Sequence, residues 1–237
     1  MPINKRLSIM QPYIFPYLGY FHLIESSEKI IFYDDVNYIK KGWINKNRIL
    51  MNGAEFQFTI PVEKVSQNKL ILEIVPAVDD VFKNKFFAQL DSCYKKAPNY
   101  LPVKNLIENV FSLEYNSISE MAIASITSVY TYIGKDLSWA KSSEISPSTK
   151  GIEKADRLIQ ICKEQGYDSY INAMGGMELY SKSYFKKQDI ELSFVEPQLK
   201  EYPQFKNNFV PWLSIIDVLM FNSPEEVIVL LGSYAII

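Results

Sequence analysis

The spacing of apolar positions changes twice within the first thirty-five residues. Residues 6–11 (RLSIMQ) are strand-like, with Leu7, Ile9 and Met10 apolar. Residues 16–27 (PYLGYFHLIESS) predict a short helix with Pro16 near its first turn, where a residue lacking an N–H is tolerated. Residues 29–35 (KIIFYDD) are a continuous apolar run ending in two acids, the pattern of a strand buried on both faces of a parallel sheet. Strand, helix and strand in so short a span predict a βαβ unit with a right-handed crossover.

Further along, Asn52-Gly53 stands between INKNRIL and FQFTIPV, a strong signal for a β-hairpin. KLILEIVPAV alternates and predicts another strand. Residues 81–97, 103–112 and 117–134 carry apolar residues at three- and four-residue spacing and predict three helices, after which DLSWAKSSEI returns as a strand. Residues 152–167 predict a helix whose apolar face is Ile152, Ala155, Leu158, Ile159 and Cys162, with Gly166 placed to end it. DSYINA and IELSFVEP predict strands on either side of a helix in GMELYSKSYFKKQ. PWLSIIDVLMF predicts a helix, and SPEEVIVLLG another, with Ser223 as N-cap, Glu226 completing a capping box and Gly232 as its stop. The expected fold is α/β: a Rossmann-like parallel sheet core with an inserted β-hairpin and a helical region. Residues 1–237 are expected to form one domain, with about 81–134 as a helical insertion.

Composition narrows the function. At 237 residues, 48% apolar, the chain can bury a substantial core. A formal charge of -2 gives no global drive toward nucleic acid or anionic membrane. No apolar run approaches the length of a membrane span, and Gln11, Pro12 and Pro16 interrupt what could otherwise be a signal peptide. Cys93 and Cys162 lie on predicted helices and are read as reduced thiols of a cytoplasmic protein. With one histidine and no ligand spacing, neither a metal nor a cofactor is expected.

Two stretches carry candidate chemistry. In QPYIFPYLGYFHLI (11–24) a strand runs into a glycine at the mouth of a helix, the end of an α/β sheet where ligands bind. Backbone N–H groups there face an incoming phosphate, and Gly19 would let it come close. The alternative is an apolar helix start without a ligand. Tyr17, Leu18, Gly19 and Tyr20, followed by Leu23 and Ile24, resemble the His-x-Gly-His turn of the nucleotidylyl-transferase superfamily, with tyrosine at both histidine positions. In YDDVNYIKKGWINKNRI (33–49), Lys40, Lys41, Lys46 and Arg48 alternate with Tyr38, Trp43, Asn45 and Asn47. Cations beside aromatics and amides suit a phosphorylated or sugar-like ligand, unless the stretch is a solvated hairpin. His22 is the one ordinary side chain able to act as a base near neutral pH, or else a core histidine between Phe21 and Leu23. Ser214 and Asp217 lie one turn apart on an otherwise apolar helix. Asp217 either lines the pocket or caps a helix or pairs with a lysine.

These two stretches, together with YKKAP, DRLIQICKEQGYDSYINAMGGMELY and YPQFKNNFVPWLSIIDVLMFN, occur in the order found in the WbqC-like proteins of bacterial polysaccharide gene clusters, which the chain resembles over nearly its whole length. The resemblance implies a cytosolic transferase in O-antigen or capsule synthesis, moving an acyl or amino-acyl group to the amine of a nucleotide-linked sugar, with an acyl-carrier protein as partner. A non-catalytic binding protein for the sugar nucleotide or the carrier-bound acyl group is the alternative. His22 is among the residues the family pattern carries over, and on its own chemistry it is the candidate catalytic base. The pattern also carries over Pro12, Tyr94, Asp156, Arg157 and Ser214, and for substrate binding it implies Gln11, Tyr13, Tyr17, Gly19, Lys41, Trp43, Asn45, Arg48 and Asp217. Tyr20 joins them from the nucleotidylyl-transferase likeness. Lys46 stands where the family pattern has arginine, which removes one bidentate phosphate contact.

Overall fold

The computed structural model describes residues 5–63, 68–206 and 208–237. Asn207, within the motif at 202–222, lies outside them. The alternation read in the first strand sorts its side chains to two faces. Leu7 and Ile9 join one core with Ile31, and Phe32 and Ile30 join a larger one on the other side. Both faces are thus buried, and the strands that pair there are parallel.

The elements follow the chain as β1 (Arg6–Met10), α1 (Leu18–Glu25), β2 (Lys29–Phe32), β3 (Lys46–Met51), β4 (Ala54–Thr59), α2 (Asp80–Tyr94), α3 (Tyr100–Ser112) and α4 (Ile118–Tyr132). Then come β5 (Trp139–Lys141), α5 (Ser142–Ile145), α6 (Lys154–Glu164), β6 (Ser169–Ala173), α7 (Lys182–Lys186), β7 (Glu191–Pro197), α8 (Ile215–Phe221), α9 (Pro224–Leu231) and β8 (Tyr234–Ile236). The main sheet has six strands in the order β5-β2-β1-β6-β7-β8, and β3-β4 form a separate hairpin. Leu7 pairs with Lys29, Met10 with Phe32 and Arg6 with Ser169, all in parallel register, and β8 alone runs antiparallel, against β7. The chain adds β2 and β5 on one side of β1, then β6 and β7 on the other. Order therefore reverses between β1 and β6, which is the doubly wound arrangement. Helices α6 and α7 cover the face of Leu7 and Ile9, while α1, α2, α3, α4, α8 and α9 pack over the other with the hairpin.

Local chemistry explains most boundaries. Asn52 and Gly53 take φ values of 53° and 76°, the pair of left-handed residues a two-residue hairpin turn requires. Ser223 and Glu226 close a capping box on α9. Three expectations are corrected. Residues 69–78 form no strand: the Glu73 carboxylate accepts from the Leu70 N–H, turning Ile71–Glu73 into one 3-10 turn that buries Ile71 and Ile74. The helix expected across GMELYSKSYFKKQ shrinks to a 3-10 turn at Met174–Gly176 and the five residues of α7. Ile152 is exposed and precedes α6. Gly232 stands as the C-cap of α9, the stop expected for that helix. Among the described residues no helix is long and apolar enough to cross a membrane.

Candidate functional site

In a doubly wound sheet the ligand crevice lies at the carboxyl ends of the strands, where order reverses. Here that is the rim after β1 and β6. The chain leaving β1 is unusually constrained. Phe15 sits at a φ of 39°, buried, and its backbone is fully engaged. Its N–H donates to Ser125 Oγ at 2.9 Å, and its carbonyl accepts from Asn47 Nδ2 at 2.8 Å and Ser214 Oγ at 2.6 Å. Ser214 N donates to the Arg48 carbonyl at 2.7 Å, and Ile215 N to that of Pro16 at 2.8 Å. The two prolines therefore hold a stiff turn, which the hairpin and the start of α8 clamp from both sides.

This clamp presents Gln11, Tyr13 and Tyr17 half-buried at the rim, with Pro12 buried beneath them. Tyr13 and Tyr20 pack at 5.5 Å between ring centroids, and the Tyr20 hydroxyl donates to the Gln11 carbonyl at 2.8 Å. Burial, reinforced by the neighbouring Tyr17 phenol, pushes the Tyr13 hydroxyl up to about 12. It is a neutral donor at any physiological pH. Tyr17 folds back over Gly19: a Cβ at Gly19 would lie 2.3 Å from the Tyr17 ring. Glycine is needed there for the tyrosine, and the ring fills the space in which a phosphate was expected to approach.

The hairpin meets Tyr17 through a residue the sequence did not single out. Trp212 packs edge-on against Tyr17, with centroids 6.0 Å apart, and its carbonyl accepts from Arg48 Nη2 at 3.3 Å. Arg48 lies over the Trp43 ring at 5.1 Å, Lys46 over the same ring at 5.2 Å, and Arg48 Nη1 reaches Glu55 at 2.5 Å. Tyr17, Trp212, Arg48 and Trp43 are thus linked by successive contacts, with Gly19 buried beneath Tyr17. Trp43 and Trp212 remain 40% and 43% exposed, large apolar rings left in water beside charge. Trp212 also holds a φ of 61°, an uncommon conformation for a bulky residue and one that accompanies functional sites. The sequence pattern puts Trp212 in the helix expected across PWLSIIDVLMF, but α8 begins only at Ile215, which leaves Trp212 in the loop before it.

Other expected residues fall elsewhere. Asn45 is buried under the hairpin, accepting from the Tyr38 hydroxyl and donating to the Ile60 carbonyl, each at 2.8 Å. Lys41 is exposed on the approach to it. Asp217 is fully buried and binds no lysine: it accepts from Tyr94 and Tyr202 at 2.7 Å and from Gln204 at 2.6 Å. Burial raises its pKa, against the opposing pull of those three donors. It is a hub joining α8, α2 and the loop before α8. Asp156 is exposed and accepts from the Tyr184 hydroxyl at 2.5 Å. Arg157 is buried, ion-paired with Asp35 and stacked over Tyr33 at 4.8 Å. His22 is 1% exposed in the second turn of α1, its Nε2 2.9 Å from the Leu230 carbonyl, and burial lowers its pKa. Burial pushes the Cys93 thiol up to about 11 and that of Cys162 to about 12, which leaves neither as a thiolate nucleophile.

The model of the WbqC-like protein family matches residues 11–229. The chain belongs to the WbqC-like family. The match begins at Gln11, the first residue of the rim, and runs through both halves of the clamp. An uncharacterized protein of Mycobacterium tuberculosis is 23% identical over 226 residues, covering 94% of this chain and 95% of its own length. No solved structure matches this WbqC-like chain.

Proposed function

We propose that this WbqC-like protein is a cytoplasmic transferase acting on a nucleotide-linked amino sugar in the synthesis of a bacterial surface polysaccharide. The observation that carries this reading is the reversal of strand order between β1 and β6, with Gln11, Tyr13 and Tyr17 half-buried at its mouth. Tyrosine rings beside amides suit a sugar or a base, and the two exposed indoles extend the surface along the same rim. Arg48 is already paired with Glu55, so a diphosphate seated here exchanges places with that carboxylate, assisted by Lys46. In the transfer step the sugar amine forms a C–N bond to the acyl carbonyl, and the bond to the carrier's sulfur breaks. The ammonium proton passes to His22 and then to the departing thiolate.

A second reading is binding without chemistry, favoured by the depth of His22 and by the complete engagement of Asp217. Calorimetric titration with a uridine-diphosphate amino sugar tests the shared part. Gln11→Ala and Tyr13→Ala should weaken it at least tenfold, and Arg48→Ala should weaken the nucleotide sugar strongly while hardly changing affinity for the free sugar. Absence of binding across a panel of nucleotide-linked amino sugars would overturn both readings. His22→Gln separates them: retained binding with lost transfer supports the transferase, and retained transfer removes His22 from the chemistry.

A further inference from the structure

On the face of the sheet covered by α6 and α7, the reversal of strand order carries a second set of polar groups. Tyr33 follows β2, and its N–H donates to the Met10 carbonyl at 2.8 Å, which holds it beside the end of β1. Asn172 is the penultimate residue of β6, on the other side of β1. β2 and β6 lie two strand spacings apart, roughly 10 Å. Alternation puts Tyr33 on the face of Ile31 and Asn172 on that of Tyr170, one face of the sheet. Tyr180 packs against the same core. The loop after β6 brings Tyr180 to Asn172: a Cβ at Gly176 would lie 2.5 Å from Asn172 Nδ2 and 3.3 Å from the Tyr180 ring. Gly175 next to it is exposed, with nothing within 4 Å of where its Cβ would stand.

The Asn172 amide is held in one orientation. The Ala173 N–H can only donate, so its 2.8 Å contact takes Oδ1 and leaves Nδ2 over. Asn172 is 7% exposed, yet among the described residues Nδ2 has no acceptor. Unlike Ser146 Oγ and Ser169 Oγ, it is not sealed from solvent. The Tyr180 hydroxyl has no partner either. Burial raises the Tyr33 and Tyr180 phenols, so both stay neutral. Arg157, stacked on Tyr33, is already matched by Asp35. The face therefore offers hydrogen bonds without net charge, and a donor so nearly buried is ordinarily satisfied. An uncharged carbonyl oxygen suits it. An amino group in the same place sets donor against donor and leaves both unpaired.

We infer that Asn172 is a specificity-determining residue: its Nδ2 donates to a carbonyl oxygen of the ligand, beside the Tyr180 hydroxyl, and disfavours a ligand with an amino group there. The inference rests on the rim being a nucleotide-sugar site. Within that reading the oxygen is the keto oxygen of a uracil base, where cytosine has an amino group, or the acyl oxygen of an acylamino sugar.

Calorimetric titration of the full chain with uridine diphosphate and cytidine diphosphate tests it. Uridine diphosphate should bind about tenfold more tightly. Asn172→Asp keeps an oxygen for the Ala173 N–H and exchanges the donor for an acceptor. Its added charge acts on both nucleotides alike, so their affinity ratio isolates the contact, and the ratio should fall about tenfold. Asn172→Ala should bring the ratio near one. Uridine-diphosphate N-acetylglucosamine against uridine-diphosphate glucose distinguishes the sources. A preference between those two that Asn172→Asp removes, with none between the bases, assigns the oxygen to the sugar. A preference in neither pair, or one that Asn172→Asp leaves unchanged, would overturn the inference while the reading of the rim stands. A protein that binds none of the four compounds loses both.

Discussion

At the β5 end of the carboxyl rim, Asp34 and Asp35 accept from the Ser142 hydroxyl, Asp34 also from Ser143, and Asp35 from Arg157, whose Nε donates to Thr149 at 3.1 Å. At the β7 end, the His22 Nδ1 and the Arg48 Nε have no partner, two indoles stand in water, and Trp212 takes a left-handed backbone. Both ends use charged, hydroxyl and aromatic residues at equivalent places on the sheet. At the first, the carboxylates and Arg157 are spent on one another and on Ser142 and Thr149, holding α6 against β2 and β5, although the nearby Ser146 Oγ has no partner. The other keeps two large rings in water beside charge, as a surface that takes a ligand would. Residue type alone does not separate them; the exposure of the aromatic rings does.

The largest effect expected from that contrast is at the saturated end. Arg157→Leu leaves Asp35 buried without its cation, and removing one member of a buried pair costs about 3–5 kcal/mol. Denaturant unfolding should show it, with no change in the slope of the transition; a loss under about 1 kcal/mol would mean that water reaches Asp35. Next comes the Asp217 hub. Tyr94→Phe removes a hydroxyl that donates to Asp217 and accepts from the Leu50 N–H at 2.7 Å. Leaving buried groups unpaired should cost about 1–3 kcal/mol by the same measurement.

The hub and the hairpin differ in how far the sequence disclosed them. Asn52-Gly53, the βαβ opening and the capping box are local signals, and each was legible because a few adjacent residues determine it. Gln11, Tyr13, Tyr17, Trp43 and Arg48 were legible as chemistry but not as an arrangement. Their meeting depends on Ser214 and Ile215 pairing with Arg48 and Pro16, across some 165–200 residues of chain. No periodicity encodes such a contact, so Trp212 and the partners of Asp217 stayed hidden. The antiparallel β8 was invisible for a related reason: three terminal residues form a strand because β7 offers them an edge.

A smaller effect is expected from pH. The His22 imidazole is held below its ordinary value of 6.5, chiefly by burial. Between the two values the unfolded chain binds more protons, so this group's contribution to stability falls as pH drops below about 6.5. His22→Gln should flatten that part of the stability profile, by no more than about 1.4 kcal/mol per pH unit, the limit for one proton. An unchanged slope between wild type and variant would place His22 in contact with solvent. The smallest effect on stability belongs to the open end. Trp212→Gly relieves a left-handed backbone and gives up the edge contact with Tyr17, terms that oppose each other. Its stability should stay within about 1 kcal/mol of wild type while nucleotide-sugar affinity falls at least tenfold. A large loss of stability would make Trp212 a structural residue and bring the two ends of the rim back to one kind.

The ligand is expected at the reversal of strand order, along Gln11, Tyr13, Tyr17 and Trp212. A crystal structure with a uridine-diphosphate amino sugar tests this most directly. The expected result is ligand density across the carboxyl ends of β1 and β6, with a ring against Tyr13 or Trp212 and the Arg48–Glu55 contact opened. Density at the opposite edge of the sheet, in the cleft between Arg6, Lys182 and Lys186, would contradict it.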